Sequence, residues 1–387
     1  MRLKNHHIVS FLLCFSFAGL AVEAVTGPNV VSVATKAKGI DSSWVRIRIF
    51  EKLKQVSIRG EQIEVVSKAE SFRNVAIAPL SQKKLTIELK RNWNQSVLFL
   101  QKDNGAPSMQ MTSLFIKGND LKIGAQSINN FIQVYKRNDS FDVIAYVNLR
   151  DYLKGVVSSE MPANWPNETL KAQIVAARSY ALFMSEKRKN QVFDVESSIK
   201  DQVYRHTDDQ RLEPLLDDTA NMVLFDENRN LFKAYYHSEC GGQTSSAKKV
   251  FGDSQSDVEV RDPYCQGRTW RMEIPKREIE KYFGPFKQIV SAFDPIRRAY
   301  AVDVQRADSS LEAIDAQKLR MHVGSTRMKS TWFESRIHGD KIEFVGKGYG
   351  HGVGLCQWGS RQMGVMKKNY KEILSFYYPK AKIVSLN

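Results

Sequence analysis

Glu160 stands in the run Ser159-Glu160-Met161-Pro162, with Trp165 and Pro166 just beyond it. A carboxyl group among such neighbours can be desolvated, and desolvation raises its pKa toward the range where it donates a proton at neutral pH. Arg178 follows between Val175 and Leu182, on an apolar flank. A guanidinium there needs a carboxylate or a polar substrate, unless it only anchors its helix. Further on, His237, Cys240, Cys265 and Cys356 form a thiolate-rich group that could be a Cys3His structural zinc set. A Cys240–Cys265 disulfide and free thiols are the alternatives. Either bonded form would tie the Gly241-Gly242 turn to the segment around His351. That segment, Gly346-Lys347-Gly348-Tyr349-Gly350-His351-Gly352-Val353-Gly354, has glycine at every second residue. If extended, it turns a bare backbone face to a ligand or another strand. It matches neither a dinucleotide loop nor a Walker loop, and the chain has no H-E-x-x-H pair and no nucleophile elbow.

These residues need elements to hold them. A helix is expected from about Glu168 to Lys187, with Leu170, Ile174, Ala177, Ala181 and Met184 on one stripe and Asn167 as its N-cap. Apolar residues on two of its faces make it central. A second helical stretch begins at Leu355-Cys356-Gln357-Trp358-Gly359, and another lies near Tyr370 to Tyr377. From Trp44 to about Val143 the alternation of Val45-Arg46-Ile47-Arg48-Ile49, Leu85-Thr86-Ile87-Glu88-Leu89 and similar runs predicts antiparallel strands with one solvated face. A second β-rich stretch runs from Ile289 to Val345. The fold class is therefore α+β: a β-rich scaffold, a long central helix and a cleft built from glycine-rich segments.

Composition narrows the partners. The 387 residues carry a formal charge of +15 with 42% hydrophobic and 26% charged residues, which excludes a disordered, collagen-like or disulfide-dense chain. Nucleic acid, an anionic membrane and an acidic wall polymer could each match that charge. Arg2 and Lys4 precede an apolar stretch from Ile8 to Val22, and Val22-Glu23-Ala24 offers a small-residue cleavage site, the pattern of a signal peptide that takes Cys14 with it. Export, to the periplasm or beyond, argues against nucleic acid and for the cell wall. With the leader cut, no transmembrane anchor is expected.

The motifs taken together resemble the SpoIID/LytB family, the stage II sporulation protein D-like proteins. They are Ser159-Glu160-Met161-Pro162, Trp165-Pro166, Leu170 to Ala181, Gln202-Val203-Tyr204, Gly241-Gly242-Gln243-Thr244 and Gly350-His351-Gly352-Val353-Gly354-Leu355-Cys356-Gln357-Trp358-Gly359, in the family's order. The resemblance implies three parts: a signal peptide over 1–24, a β-rich region over 25–125 and a SpoIID-like catalytic domain over 126–387. It implies a peptidoglycan lytic transglycosylase that cuts the MurNAc–GlcNAc β-1,4 bond of glycan strands, with stem peptides or stripped of them, and leaves 1,6-anhydroMurNAc ends. Other members, described as enhancers of a cell-wall amidase, imply the alternative of a non-catalytic glycan binder. Glu160 takes the place of the catalytic acid/base and Arg178 that of the functional arginine. The remaining motifs offer Gln202, Tyr204, Thr244, Tyr349, His351 and Gln357 as substrate-binding residues. The chemistry requires no cofactor, and zinc, which the family also suggests, would be structural.

Overall fold

The computed structural model describes residues 22–24, 30–33, 44–66, 76–92, 95–102, 113–198, 200–293 and 298–386. All but the last three residues of the expected signal peptide lie outside these. Two short strands come first, β1 (Val22–Ala24) and β2 (Val30–Val33). Then follow β3 (Trp44–Leu53), β4 (Gln55–Val66), β5 (Ala76–Asn92), β6 (Gln95–Lys102), β7 (Ser113–Ile123), β8 (Gln126–Lys136) and β9 (Phe141–Asn148). These seven pair antiparallel, and β10 (Val195–Glu196) adds a parallel edge, in the order β10-β3-β9-β8-β7-β4-β5-β6. The alternation read from the sequence is the reason: Val45, Ile47, Leu85, Ile87, Leu114 and Ile116 face one core while their neighbours face out. The 125/126 boundary falls inside a hairpin, because β7 and β8 pair down to Ile123 opposite Gln126. The sheet and the helices below also share one core, so the β-rich region packs as part of the same body.

The chain then enters α1 (Leu149–Glu160), capped by the Asn148 side chain, which accepts from the Asp151 N–H at 2.9 Å. Pro162 forces Met161 into extended backbone (φ −135, ψ 140), so the helix stops at Glu160. The long helix α2 (Asn167–Lys187) begins one residue earlier than expected. Asn167 lies inside it, and the cap position is Pro166, which makes no side-chain cap bond. The alanines at 172, 176, 177 and 181 favour helix, and Ile174, Val175 and Leu182 are buried on more than one side. Each such aliphatic side chain contributes about 1.5–3 kcal/mol of burial, which fixes α2 as the spine of the body.

After α2 come α3 (Glu213–Asp218), β11 (Met222–Phe225), β12 (Tyr236–His237) and α4 (Ala247–Phe251). An inserted unit follows: β13 (Thr269–Pro275), α5 (Lys276–Phe283), β14 (Gln288–Phe293), β15 (Ala299–Gln305), β16 (Leu311–Asp315), α6 (Ala316–Val323), β17 (Phe333–His338) and β18 (Lys341–Lys347). Its two three-stranded sheets enclose a separate core that includes Trp270, Ile274, Val302, Leu319, Phe333 and Phe344. Where the unit begins and ends, the Gly348 N–H donates to the Arg268 carbonyl at 2.9 Å. The chain finishes with β19 (Leu355–Cys356), α7 (Gln357–Val365), α8 (Tyr370–Tyr377) and β20 (Lys382–Leu386). β20 lies between β2 and β11, with β1 outermost on β2.

The alternating-glycine segment departs from its expected extended form. Gly348, Gly350, Gly352 and Gly354 all have positive φ, at 79, 104, 84 and 73 degrees, so the chain winds in a chain of turns after β18. At Gly354 a side chain is excluded outright, since a Cβ would lie 2.0 Å from the Tyr235 carbonyl oxygen. The close approach foreseen for this segment is therefore to backbone of the same chain.

Candidate active site and a buried thiol cluster

Glu160 is the last residue of α1, where the negative end of the helix dipole disfavours a carboxylate. Burial is the main reason its pKa lies above the ordinary carboxyl value. Two weak hydrogen bonds pull the other way, from Gln357 Nε2 to Oε2 at 3.3 Å and from the Val203 N–H to Oε1 at 3.4 Å. Gln357 reaches Glu160 because the parallel pair β12–β19 sets His237 beside Cys356, and α7 starts at the next residue.

Glu160 lines a cleft of about 1110 Å³ together with Tyr349, His351 and Gln357. Two histidines sit on its wall with ring centroids 5.7 Å apart. His237 Nδ1 lies 3.0 Å from the Val353 carbonyl, which can only accept, so that nitrogen carries the proton and the buried Nε2, which has no partner among the described residues, keeps a lone pair. Burial, with help from Arg298, pushes the His237 pKa down to about 3. His351 Nδ1 instead accepts from the Val353 N–H at 3.1 Å, and burial beside His237 holds its pKa well below normal. Both rings are neutral, so neither competes with Glu160 as an acid. The other cleft carboxylates are already engaged: Asp201 accepts from Tyr180, Arg188 and the Glu196 N–H, Asp253 from Tyr235, and Asp226 from the Asn228 and Asn230 N–H groups and Gln255.

Four of the residues expected at the site lie behind this wall. Arg178 is buried on α2 and donates from Nη1 to the Thr219 and Met222 carbonyls at 2.7 and 2.9 Å. With no carboxylate among the described residues beside it, burial brings its pKa down to about 10. It holds α2 to the turn before β11, the anchoring role that its apolar flank left open. Gln202 accepts from the buried Tyr152 hydroxyl and donates to the Ala177 carbonyl at 3.4 Å. Tyr204 stacks on Tyr152 at 5.7 Å and is buried. Gly155 permits this, because a Cβ there would lie 2.5 Å from the Tyr204 ring. Gln202 and Tyr204 thus clamp the residue between them, and that residue is Val203, whose N–H faces Glu160. Thr244 is buried as well, its hydroxyl accepting from the Val260 N–H at 2.7 Å.

The thiols converge, with one substitution in the expected set. Single ligand atoms of Cys240, Asp262, Cys265 and Cys356 all lie within 4.8 Å of one another, and all four residues are buried. Asp262 takes the place assigned to His237, which instead faces the cleft. The three cysteines are free thiols, so the Cys240–Cys265 disulfide is not formed. The Cys240 and Gly359 N–H groups point at Cys356 Sγ at 3.2 and 3.4 Å, and the Gly242 N–H at Cys240 Sγ at 3.3 Å. Tyr377 donates to Asp262 Oδ2 at 2.8 Å. Backbone donors aimed at sulfur and an outer hydroxyl steadying the carboxylate fit a closed, thiolate-rich tetrahedral metal site.

The family profile described as stage II sporulation protein matches residues 137–225, the stretch that holds α1, α2 and Val203. An uncharacterized protein of Brachyspira hyodysenteriae is 34% identical over 268 residues, covering 65% of this chain and 70% of that protein. The stage II sporulation protein D of Bacillus subtilis is 25% identical over 260 residues, covering 60% and 73%. The chain belongs to the stage II sporulation protein D family. The amidase enhancer of Bacillus subtilis is also similar, 25% identical over 60% of this chain, which spans 40% of that longer relative. The family match includes Glu160 and stops before the thiol cluster and the inserted unit. Sequence reasoning missed Tyr236, half-buried near Glu160, and Gln317 and Arg320 of α6, which also line the cleft. The signal for Tyr236 was its place next to His237, whereas α6 gave none.

Proposed function

We propose that the protein is an exported lytic transglycosylase of peptidoglycan, with Glu160 as its acid and base. What carries this reading is a carboxyl group in a cleft whose burial raises its pKa, while the neighbouring carboxylates are tied up and the nearby histidines are neutral. Ordinary glycosidases need two carboxyl groups. Here one serves twice. Glu160 gives its proton to the glycosidic oxygen as the C1–O4 bond breaks, then takes the proton of the muramyl C6 hydroxyl as O6 bonds to C1, closing a 1,6-anhydro ring. Water takes no part, so no second base is required. His237 Nε2 can accept from a sugar hydroxyl or amide at the wall. Purified protein acting on glycan strands should give anhydromuramyl ends by mass spectrometry. Glu160→Gln should cut their yield by at least about 100-fold, the usual worth of a positioned acid, and an unchanged yield would overturn the reading.

The amidase-enhancer relative supports a second reading, a glycan binder that stimulates a cell-wall amidase without cutting strands. In that case Glu160→Gln would retain the stimulation in a reconstituted amidase assay. We also propose that Cys240, Asp262, Cys265 and Cys356 hold a structural zinc ion, which would cross-link the Gly241-Gly242 turn to the start of α7. Elemental analysis should then give one zinc per chain, and Asp262→Ala should lower both the zinc content and Tm.

A further inference from the structure

The inserted unit supplies the cleft wall that carries Gln317, Arg320, Met321 and Ser325, facing Glu160's side of the body. Gln317 and Arg320 are three residues apart on α6 and therefore on one face of it. Arg320 is 6% exposed, and its guanidinium donates to two backbone carbonyls: Nε to Met328 at 3.0 Å and Nη2 to Ser325 at 3.3 Å. Among the described residues no carboxylate pairs with it. Other cleft cations differ: Arg188 is paired with Asp201 at 2.7 Å, Lys200 with Glu196 at 3.2 Å and Lys233 with Asp253 at 3.8 Å, while Lys187 is exposed to water. A guanidinium has five N–H donors, and a buried one short of an anion is costly. One turn away Gln317 Oε1 is buried and has no hydrogen-bond partner among the described residues, although Gln317 also lines the cleft. Together they set a guanidinium and an adjacent acceptor among the residues that line one cleft.

We infer that α6 recognises a carboxylate of the glycan strand, Arg320 binding the anion through its guanidinium and Gln317 accepting from a neighbouring N–H or O–H. The inference rests on the glycan-strand reading and adds to it a residue pair from outside the family match. Two sources can supply the carboxylate: the lactyl group of a muramic acid without a stem peptide, where it is free, or the acidic residues of a stem peptide, where the lactyl group is locked in an amide.

The test measures binding alone. Full-length protein carrying Glu160→Gln, which prevents turnover, is titrated calorimetrically with a stem-free (GlcNAc–MurNAc)2 tetrasaccharide, the same compound with its carboxyl groups converted to methylamides, and the stem-bearing tetrasaccharide. The free acid should bind about tenfold or more tightly than the methylamide, the usual worth of a charge-assisted hydrogen bond. If the stem-bearing compound is as weak as the methylamide, the lactyl group is the source; if it alone binds tightly, with the stem-free acid no better than its methylamide, the peptide is. Gln317→Glu puts a carboxylate one turn from Arg320 and should abolish the preference, as should Arg320→Met. Equal binding of acid, methylamide and stem-bearing compound by protein with α6 unaltered overturns the inference, whether or not any variant folds. A lack of anhydromuramyl product would sink the enzymatic reading and leave these affinities as they are.

Discussion

Glu160 is tuned by opposing effects that can be separated. Burial raises its pKa, while the Gln357 amide and the Val203 N–H, which favour the charged form, lower it. If Glu160 must be protonated to act, activity declines as pH rises through its raised pKa. Gln357→Leu removes one opposing donor, so the alkaline limb of the kcat/KM profile should move to higher pH, and an unmoved limb would exclude Glu160 as the titrating acid. The same shift has a stability side. A carboxyl whose folded pKa exceeds its unfolded value stabilises the fold below the unfolded pKa, and that contribution is lost as pH rises through the folded one. Thermal melts should show the Tm of Glu160→Gln gaining on the unaltered protein as pH rises from about 4 to 7, across the ordinary carboxyl range. Glu160 was legible in the sequence because Met161, Pro162 and Trp165 beside it could desolvate it and because its motif resembles the family's. His237 was not: spacing put it with the cysteines, but its ring turns to Val353 and the cleft, and Asp262 from a distant turn completes the sulfur group.

At the scale of elements, the long central helix was readable from its stripe, down to an error of one residue at the cap. What the stripe could not reveal was which polar residues on or near it reach the cleft. Gln202, Tyr204 and Thr244 belong to motifs and are buried, because holding Val203 and the turn near Cys240 calls for fixed residues just as contact with substrate does. Arg178 makes the point testable. Arg178→Met removes the guanidinium donor from the Thr219 and Met222 carbonyls, at a cost of about 1–3 kcal/mol, so denaturant melts should move to a lower midpoint. The activity per folded molecule should stay near that of the unaltered protein, and a large loss of kcat at full folding would return Arg178 to the reaction. The alternating glycines misled for a related reason. Period two suggests a strand, but four positive φ values require turns, and glycine is common to both.

In the whole molecule, strands were legible in both β-rich stretches, but not that one shares the helices' core while the other builds its own. Sequence patterns show which face is apolar, not which partner covers it. No helix among the described residues is long and apolar enough to cross a membrane. If the leader is cut after Ala24, β1 leaves with it, and β2, β20 and β11 remain paired with β2 as the edge. The inserted unit permits a larger excision. Joining Arg268 to Gly348 through a short glycine turn should leave the main body folded, with far-UV circular dichroism showing a cooperative melt, whereas loss of the melt would make the two cores interdependent. The two ends already meet, the Gly348 N–H donating to the Arg268 carbonyl at 2.9 Å, so a short turn can join them. The floor bearing Glu160 belongs to one core and the wall bearing Arg320 to the other, so the two can be redesigned separately.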